Sequence, residues 1–264
     1  MTHLVAIILG FIEGATEFLP ISSSGHLIIA RHLLGVNDYG GLTFDAILQL
    51  ATTLAIVVYF WRDIWYLFMT FISLVTKKPV LDKDKTLLYS IVFGTIPAVV
   101  AGLLLESYMD SVFRDVNLVA MSLFIGSILF WVAQKYAKKN SDLTLKKGIT
   151  IGLFQCLALV PGISRSGATI SGGLFGGLTQ EESVRFSFLL SIPILIGAGL
   201  KKVFEVRHEL FLSNFGSPLL IGSLVAFITG LFAINFLIKY LKNNNLDVFI
   251  YYRIALSIAI FLFI

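Results

Sequence analysis

Residues 7–25, IILGFIEGATEFLPISSSG, and residues 149–167, ITIGLFQCLALVPGISRSG, align without a gap at a separation of 142 positions. Six positions are identical, and four of them (Ile21/Ile163, Ser22/Ser164, Ser24/Ser166, Gly25/Gly167) fall within one five-residue window. Each copy starts as an apolar helix and is then interrupted by Pro, Gly and Ser. Taken as one helix, residues 4–19 would reach only about 24 Å at 1.5 Å per residue, short of a hydrocarbon layer about 30 Å thick. Broken backbone at that depth is tolerated only where protein buries it or where it lines a wet cavity. Both segments, 4–34 and 146–178, are therefore expected to be re-entrant helix pairs.

The rest of the chain names its solvent. Of 264 residues, 57% are hydrophobic and 14% charged, with a mean hydropathy of +0.88; soluble domains carry about 25% charged residues. Disorder is excluded by 23 Phe, 9 Tyr and 3 Trp. A lipid bilayer is the consistent environment, and one all-α, polytopic integral membrane domain over 1–264 the simplest organisation, with repeat halves at about 1–140 and 141–264. Six stretches are apolar enough to cross: 42–61, 87–105, 118–134, 186–204, 216–238 and 246–264. Residues 63–75 are shorter and start beside Trp61 and Arg62, which favours an interfacial helix over a seventh span. No Lys/Arg-bearing region precedes the first apolar run, so a cleaved signal peptide is not expected. The single cysteine, Cys156, excludes an intramolecular disulfide and a Cys-based metal cluster.

Three spans between the copies place them on opposite faces, which makes the repeat inverted and puts a binding site near the midplane. Lys77, Lys78, Lys83 and Lys85 share a side with Lys135, Lys138, Lys139, Lys146 and Lys147, and by the positive-inside rule that side is cytoplasmic. The loop 106–117 holds Glu106, Asp110 and Asp115 against Arg114, as suits an external loop. Lys201, Lys202 and Arg207 fall on the outer side, against the rule. The formal net charge of +4 thus belongs to membrane orientation, and no nucleic-acid partner is indicated.

Several residues in the two copies carry chemistry. Glu13 and Glu17 are one helical turn apart on a common face, and each carboxylate at bilayer depth costs about 3 kcal/mol. They require a cation, a metal ion or a proton for compensation, and the spacing alone does not choose between metal ligand and acid or base. Ser22, Ser23, Ser24 and Gly25 offer hydroxyls and main-chain N–H groups at a helix start, a place able to hold phosphate; one of the serines is accounted for by N-capping. His26, three residues after Ser23, is a candidate proton-transfer partner for a hydroxyl or water. The second copy keeps Ser164, Ser166 and Gly167 but has Arg165 for Ser23 and Ala168 for His26. One half supplies acid, base and nucleophile candidates, and the other a guanidinium suited to phosphate. That asymmetry favours catalysis over the alternative, an inverted-repeat secondary transporter or lipid flippase. Asp45 and Gln49 sit one turn apart at a span start, where a cavity or an ordinary interface would equally suit them. Gly172, Gly173, Gly176 and Gly177 are read as helix-packing residues, and Pro97 and Pro193 as kinks.

The motifs EGATEFLPISSSGHL (13–27) and PGISRSGATISGG (161–173), with FDAILQLATTLAIVVYFWR (44–62), resemble the undecaprenyl-pyrophosphate phosphatase, or bacitracin-resistance, family over nearly the whole chain. The resemblance implies a plasma-membrane hydrolase that removes the terminal phosphate of undecaprenyl pyrophosphate, recycling the lipid carrier of peptidoglycan synthesis and conferring bacitracin resistance. It implies a divalent cation, Mg²⁺ or Ca²⁺, at Glu13 and Glu17, and an active site open to the outer side. By matching position it assigns function to Glu13, Glu17, the run Ser22 to His26, and Arg165. Ser24 stands where many members have threonine. Ser23, activated by His26, is the first candidate nucleophile, with direct attack by water as the rival. A homodimer is compatible with the sequence.

Overall fold

The computed structural model of the chain describes residues 2–36, 41–111, 115–137, 141–212 and 216–263, and among them every regular element is a helix. Arg114, Lys138 and Lys139 lie outside the described residues, as do the side chains of Glu106 and Asp110. The first half comprises α1 (His3–Glu17), α2 (Ser23–Leu34), α3 (Gly41–Tyr59), α4 (Trp61–Val75), α5 (Asp82–Ser111) and α6 (Val116–Lys135). The second comprises α7 (Leu145–Cys156), a 3-10 turn at Leu157–Leu159, α8 (Arg165–Phe175), α9 (Gln180–Leu212), α10 (Gly216–Tyr240) and α11 (Asp247–Phe263).

The two copies fold alike down to their caps. Thr2 caps α1 by accepting from the N–H of Val5, and Thr144, its partner at the repeat spacing, caps α7 by accepting from that of Lys147. Ser22 and Ser164 cap α2 and α8 in the same way, accepting from Gly25 and Gly167. Both hold a backbone φ that is rare for a residue with a Cβ, 76° and 73°, a conformation that costs of order 1–3 kcal/mol and persists where surroundings enforce it. The packing is matched too: α1 lies along α10, and α7 along α5. A Cβ on Gly10 would stand 2.2 Å from the carbonyl oxygen of Gly222, and one on Gly152 2.0 Å from that of Gly94. Small residues at these crossings let backbones touch, the usual way helices associate where lipid removes the hydrophobic drive.

Among the described residues four helices are long and apolar enough to cross a membrane: Asp82–Leu105, Val116–Lys135, Gln180–Glu205 and Gly216–Tyr240. α3 and α4 become a fifth if taken as one span bent by 76°. The six crossings expected from sequence are therefore not all supported by helix length. α11, with 17 described residues, rises about 26 Å. The bend at Phe60 carries α4 away from α3, as an interfacial helix requires. Trp61, Trp65 and Phe68 are exposed on it, while Asp63 pairs with Arg185 and the Tyr66 hydroxyl donates to Asp84 (2.6 Å).

The crossing glycines give a direct test. Gly152→Val should destabilise the protein by about 1–3 kcal/mol through overpacking, read as a lower thermal midpoint in detergent. Gly216→Ala, where a Cβ would meet open space, should stay within about 0.5 kcal/mol of wild type.

Candidate active site

At the chain breaks α1 and α7 stop, and the freed main-chain groups must find partners inside the protein. The two loops satisfy one another. The Ser22 hydroxyl accepts from the N–H of Gly162 in the opposite loop (3.1 Å), and the Ser166 hydroxyl donates to the carbonyl of Leu19 (3.3 Å). Gly162, at φ 100°, adopts a conformation that glycine accepts without steric penalty, and a Cβ there would press on Ser122 and Val119 of α6. Beneath both loops lies Arg253 of α11, fully buried. Its guanidinium donates to the carbonyls of Pro20 (3.2 Å), Ile163 (3.0 Å), Gly162 (3.0 Å) and Leu123 (3.3 Å) and to the Ser127 hydroxyl (3.2 Å). The Phe130 ring covers it. Sequence reasoning passed over this arginine, although a lone guanidinium in an otherwise apolar span was the available signal.

Above that base the two copies contribute to one cluster. Arg165, first residue of α8, places Nη2 2.9 Å from Oε1 of Glu17 at the end of α1. The other Glu17 oxygen accepts the Ser23 hydroxyl at the start of α2. The result is an Arg165–Glu17–Ser23 chain that spans the repeat. Arg165 Nη1 is buried and has no hydrogen-bond partner among the described residues, and the carboxylate of Glu13, 2% exposed, makes no hydrogen bond or ion pair among them. Glu13 and Ser23 line the adjoining cavity, where a positive charge can reach the Glu13 carboxylate, whereas Arg165 and Glu17 lie behind its wall.

That cavity, about 820 Å³, is lined at its inner end by Glu13, Ser23 and Ser24. Asp45 and Gln49 line it as well, Asp45 paired with Arg31 at 2.5 Å, and Lys201 and Lys202 of α9 stand at its far end. His26 lies elsewhere. Its Nδ1 donates to the carbonyl of Ser22 (2.7 Å), leaving Nε2 to accept from the hydroxyl of Tyr252 (2.7 Å), whose ring stacks on the imidazole. The structure thus brings Ser23 to Glu17 and His26 to Tyr252, whereas the sequence pairs Ser23 with His26. Tyr252 carried no signal in sequence. Ser164 and Ser166 bond each other at 3.2 Å, and Gly25 and Gly167 are packed against Val119 and Phe130; these residues build the loops and do not line the cavity.

Among the described residues no group of three or more His, Cys, Asp or Glu is placed to hold a metal ion. Mg²⁺ does not need such a cage, since it is commonly bound by one or two carboxylates together with substrate phosphates. Glu13, which lines the cavity, fits that manner of binding, with Glu17 one turn away.

The family described as bacitracin resistance protein BacA matches residues 6–259 of this chain. A protein from Renibacterium salmoninarum called undecaprenyl-diphosphatase is 39% identical over 272 residues, covering 99% of this chain and 95% of the relative. Proteins of the same name from Elusimicrobium minutum (40% over 261 residues; 98% and 97% covered) and Trichlorobacter lovleyi (41% over 270 residues; 98% and 96% covered) are similar to the same extent.

Replacing Arg253 by Met would leave four carbonyl oxygens of the loop base without their donor. With each buried unsatisfied group costing about 1–3 kcal/mol, a loss of at least about 3 kcal/mol is expected, read as a large fall in thermal midpoint. Tyr252→Phe, which removes one hydroxyl, should cost less than about 1.5 kcal/mol.

Proposed function

We propose, given that this chain belongs to the bacitracin resistance protein BacA family, that it is a multi-pass membrane hydrolase that converts undecaprenyl pyrophosphate to undecaprenyl phosphate and inorganic phosphate. The observation that carries the residue roles is the Arg165–Glu17–Ser23 chain. A hydroxyl bound to an oriented carboxylate is the arrangement of an activated nucleophile. Arg165, with an unused buried N–H donor, matches an incoming phosphate oxygen in charge and geometry.

The pyrophosphate enters the cavity and competes with Glu17 for the Arg165 guanidinium. Glu17, released in part, takes the proton of the Ser23 hydroxyl as its oxygen attacks the terminal phosphorus. The anhydride P–O bond breaks and undecaprenyl phosphate leaves with that bond's electrons. Water then attacks the phosphoserine phosphorus, the Ser23–phosphorus bond breaks, Glu17 returns its proton to the Ser23 oxygen, and inorganic phosphate leaves with the water's oxygen while one proton passes to solvent. Positioning and electrostatics dominate such a loose transition state, and Arg165 supplies both. A divalent cation held by Glu13 and Glu17 would neutralise phosphate charge as the substrate binds. His26, fixed between Ser22 and Tyr252, holds the turn that presents Ser23.

The cavity is lined by the start of α3, the second halves of α5 and α9 and the start of α6, all on the side opposite the lysine-bearing loops around 77–85 and 141–147. With those loops in the cytoplasm, the site opens to the outer face of a bacterial plasma membrane. Lys201 and Lys202 of α9, anomalous for the outer side and both paired with Glu205, then stand where an anionic head group arrives. Recycling of the carrier for peptidoglycan synthesis and resistance to bacitracin follow from that reaction.

In purified protein, Arg165→Ala should lower phosphate release at least about 100-fold, and Glu17→Gln by about 100-fold or more. A chelator should abolish release and added Mg²⁺ or Ca²⁺ restore it. Acid-quenched wild type incubated with substrate labelled in the terminal phosphate should carry label on Ser23. A fully active Ser23→Ala enzyme would assign the attack to water.

A further inference from the structure

We infer that the hairpin formed by α4 and the start of α5 binds an anionic phospholipid, with the phosphate at Lys77, Lys78 and Lys83 and the acyl chains along α4. The site shares no lining residue with the pyrophosphate cavity. α4 has 15 residues, about 22 Å of rise, too short for a hydrocarbon layer about 30 Å thick. The bend of 76° also takes it off the axis of α3. It has to lie along the membrane surface, where lipid head groups meet acyl chains.

The two sides of α4 suit that place. Trp61, Trp65, Phe68, Ile72 and Val75 recur at steps of four and three, which puts them on one face, and all five are exposed. Ile64 and Leu67 turn the other way and pack on the core. An exposed apolar face that carries tryptophan beside basic residues is how a helix lies in the interface plane. Between α4, residues 79–81 and the start of α5 runs a cleft of about 260 Å³, lined by Met69, Thr70, Ser73, Val80 and Leu81 among others. That mixture of apolar and hydroxyl side chains suits the ester region of a phospholipid, where chains give way to head group.

Charge decides which phospholipid. Residues 61–85 hold three carboxylates, and each is engaged: Asp63 by Arg185, Asp82 by Lys85 at 3.1 Å, and the buried Asp84 by the Tyr66 hydroxyl at 2.6 Å. Lys77, Lys78 and Lys83 are exposed, and their ammonium groups make no hydrogen bond or ion pair among the described residues. Lys77 and Lys78 directly precede the cleft wall at 79–81, and Lys83 follows it two residues on. The turn that carries them is fixed. Lys77 closes α4 at φ 57°, a conformation usually left to glycine at a helix end. Its N–H bonds the carbonyl of Leu74 (3.1 Å), and that of Lys78 bonds Ser73 (2.8 Å). A lysine kept where glycine is the easier residue, beside two more exposed lysines and an interfacial face, matches an anion fixed at the membrane surface.

The test uses the full chain with Trp131→Phe, which leaves Trp61 and Trp65 as its tryptophans, in phosphatidylcholine bilayers. Quenching of their fluorescence by brominated phosphatidylglycerol is compared with quenching by brominated phosphatidylcholine, which gives the preference for the anionic lipid beside α4. One lysine near an anionic surface strengthens association about fivefold, so a preference of at least about fivefold is expected. Lys77→Gln, Lys78→Gln and Lys83→Gln together should bring it below about twofold. A control without Lys146, Lys239 and Lys242, three exposed lysines outside the hairpin, loses the same charge and should keep the preference. A starting preference below about twofold, or an equal loss in the control, would overturn the site and leave only a diffuse surface field. Absence of quenching by either lipid would mean that another copy of the chain covers α4, and would overturn it as well. If the triple variant does not fold, Lys77→Gln with Lys78→Gln decides: the preference should at least halve, and an unchanged preference overturns the site.

Discussion

Four main-chain carbonyls from three separate segments converge on the guanidinium of Arg253, and the candidate site depends on that convergence. Inside a bilayer, backbone that leaves the helix has no water to turn to. This chain interrupts two helices at depth and returns both loops to one buried cation, so the interruption becomes a rigid platform. The strained φ of Ser22 and Ser164 is held by the same bonds. Because each loop also bonds the other, neither half of the repeat completes the platform alone.

The platform explains how a nearly symmetric frame carries asymmetric chemistry. The caps, the close glycine crossings and the serine pairs recur in both halves, whereas Ser23 faces Arg165 across the pseudo-equivalent position. Glu17 lies between them and bonds both. The few positions at which the copies differ make the two loops complementary parts of a single candidate site. A symmetric carrier has no need of that division.

Much of this was legible in sequence where the signal was local. The repeat, the broken helices, the carboxylate pair and the serine loops are runs of adjacent residues whose cost in lipid demands a reason. Glu17 with Arg165 was accessible in part, because a buried cation and a buried anion in matched segments invite pairing. What sequence did not reveal depends on distant contacts. The Ser23 hydroxyl turns to Glu17, while His26 turns across α2 to Tyr252, 226 positions away, and nothing local fixes that choice. Helix length among the described residues supports four or five of the six expected spans, since hydropathy reports apolar length and does not report the bend at Phe60.

The central claim is that groups from the two copies act as one unit on the pyrophosphate. A double-mutant cycle on Glu17 and Arg165, following phosphate release from undecaprenyl pyrophosphate, tests it most directly. Residues that act together are strongly non-additive, so Glu17→Gln combined with Arg165→Met should be no slower than the slower single variant. Effects that multiply, with the double variant slowed by the product of the two single losses, would show that the residues work independently and would contradict the account.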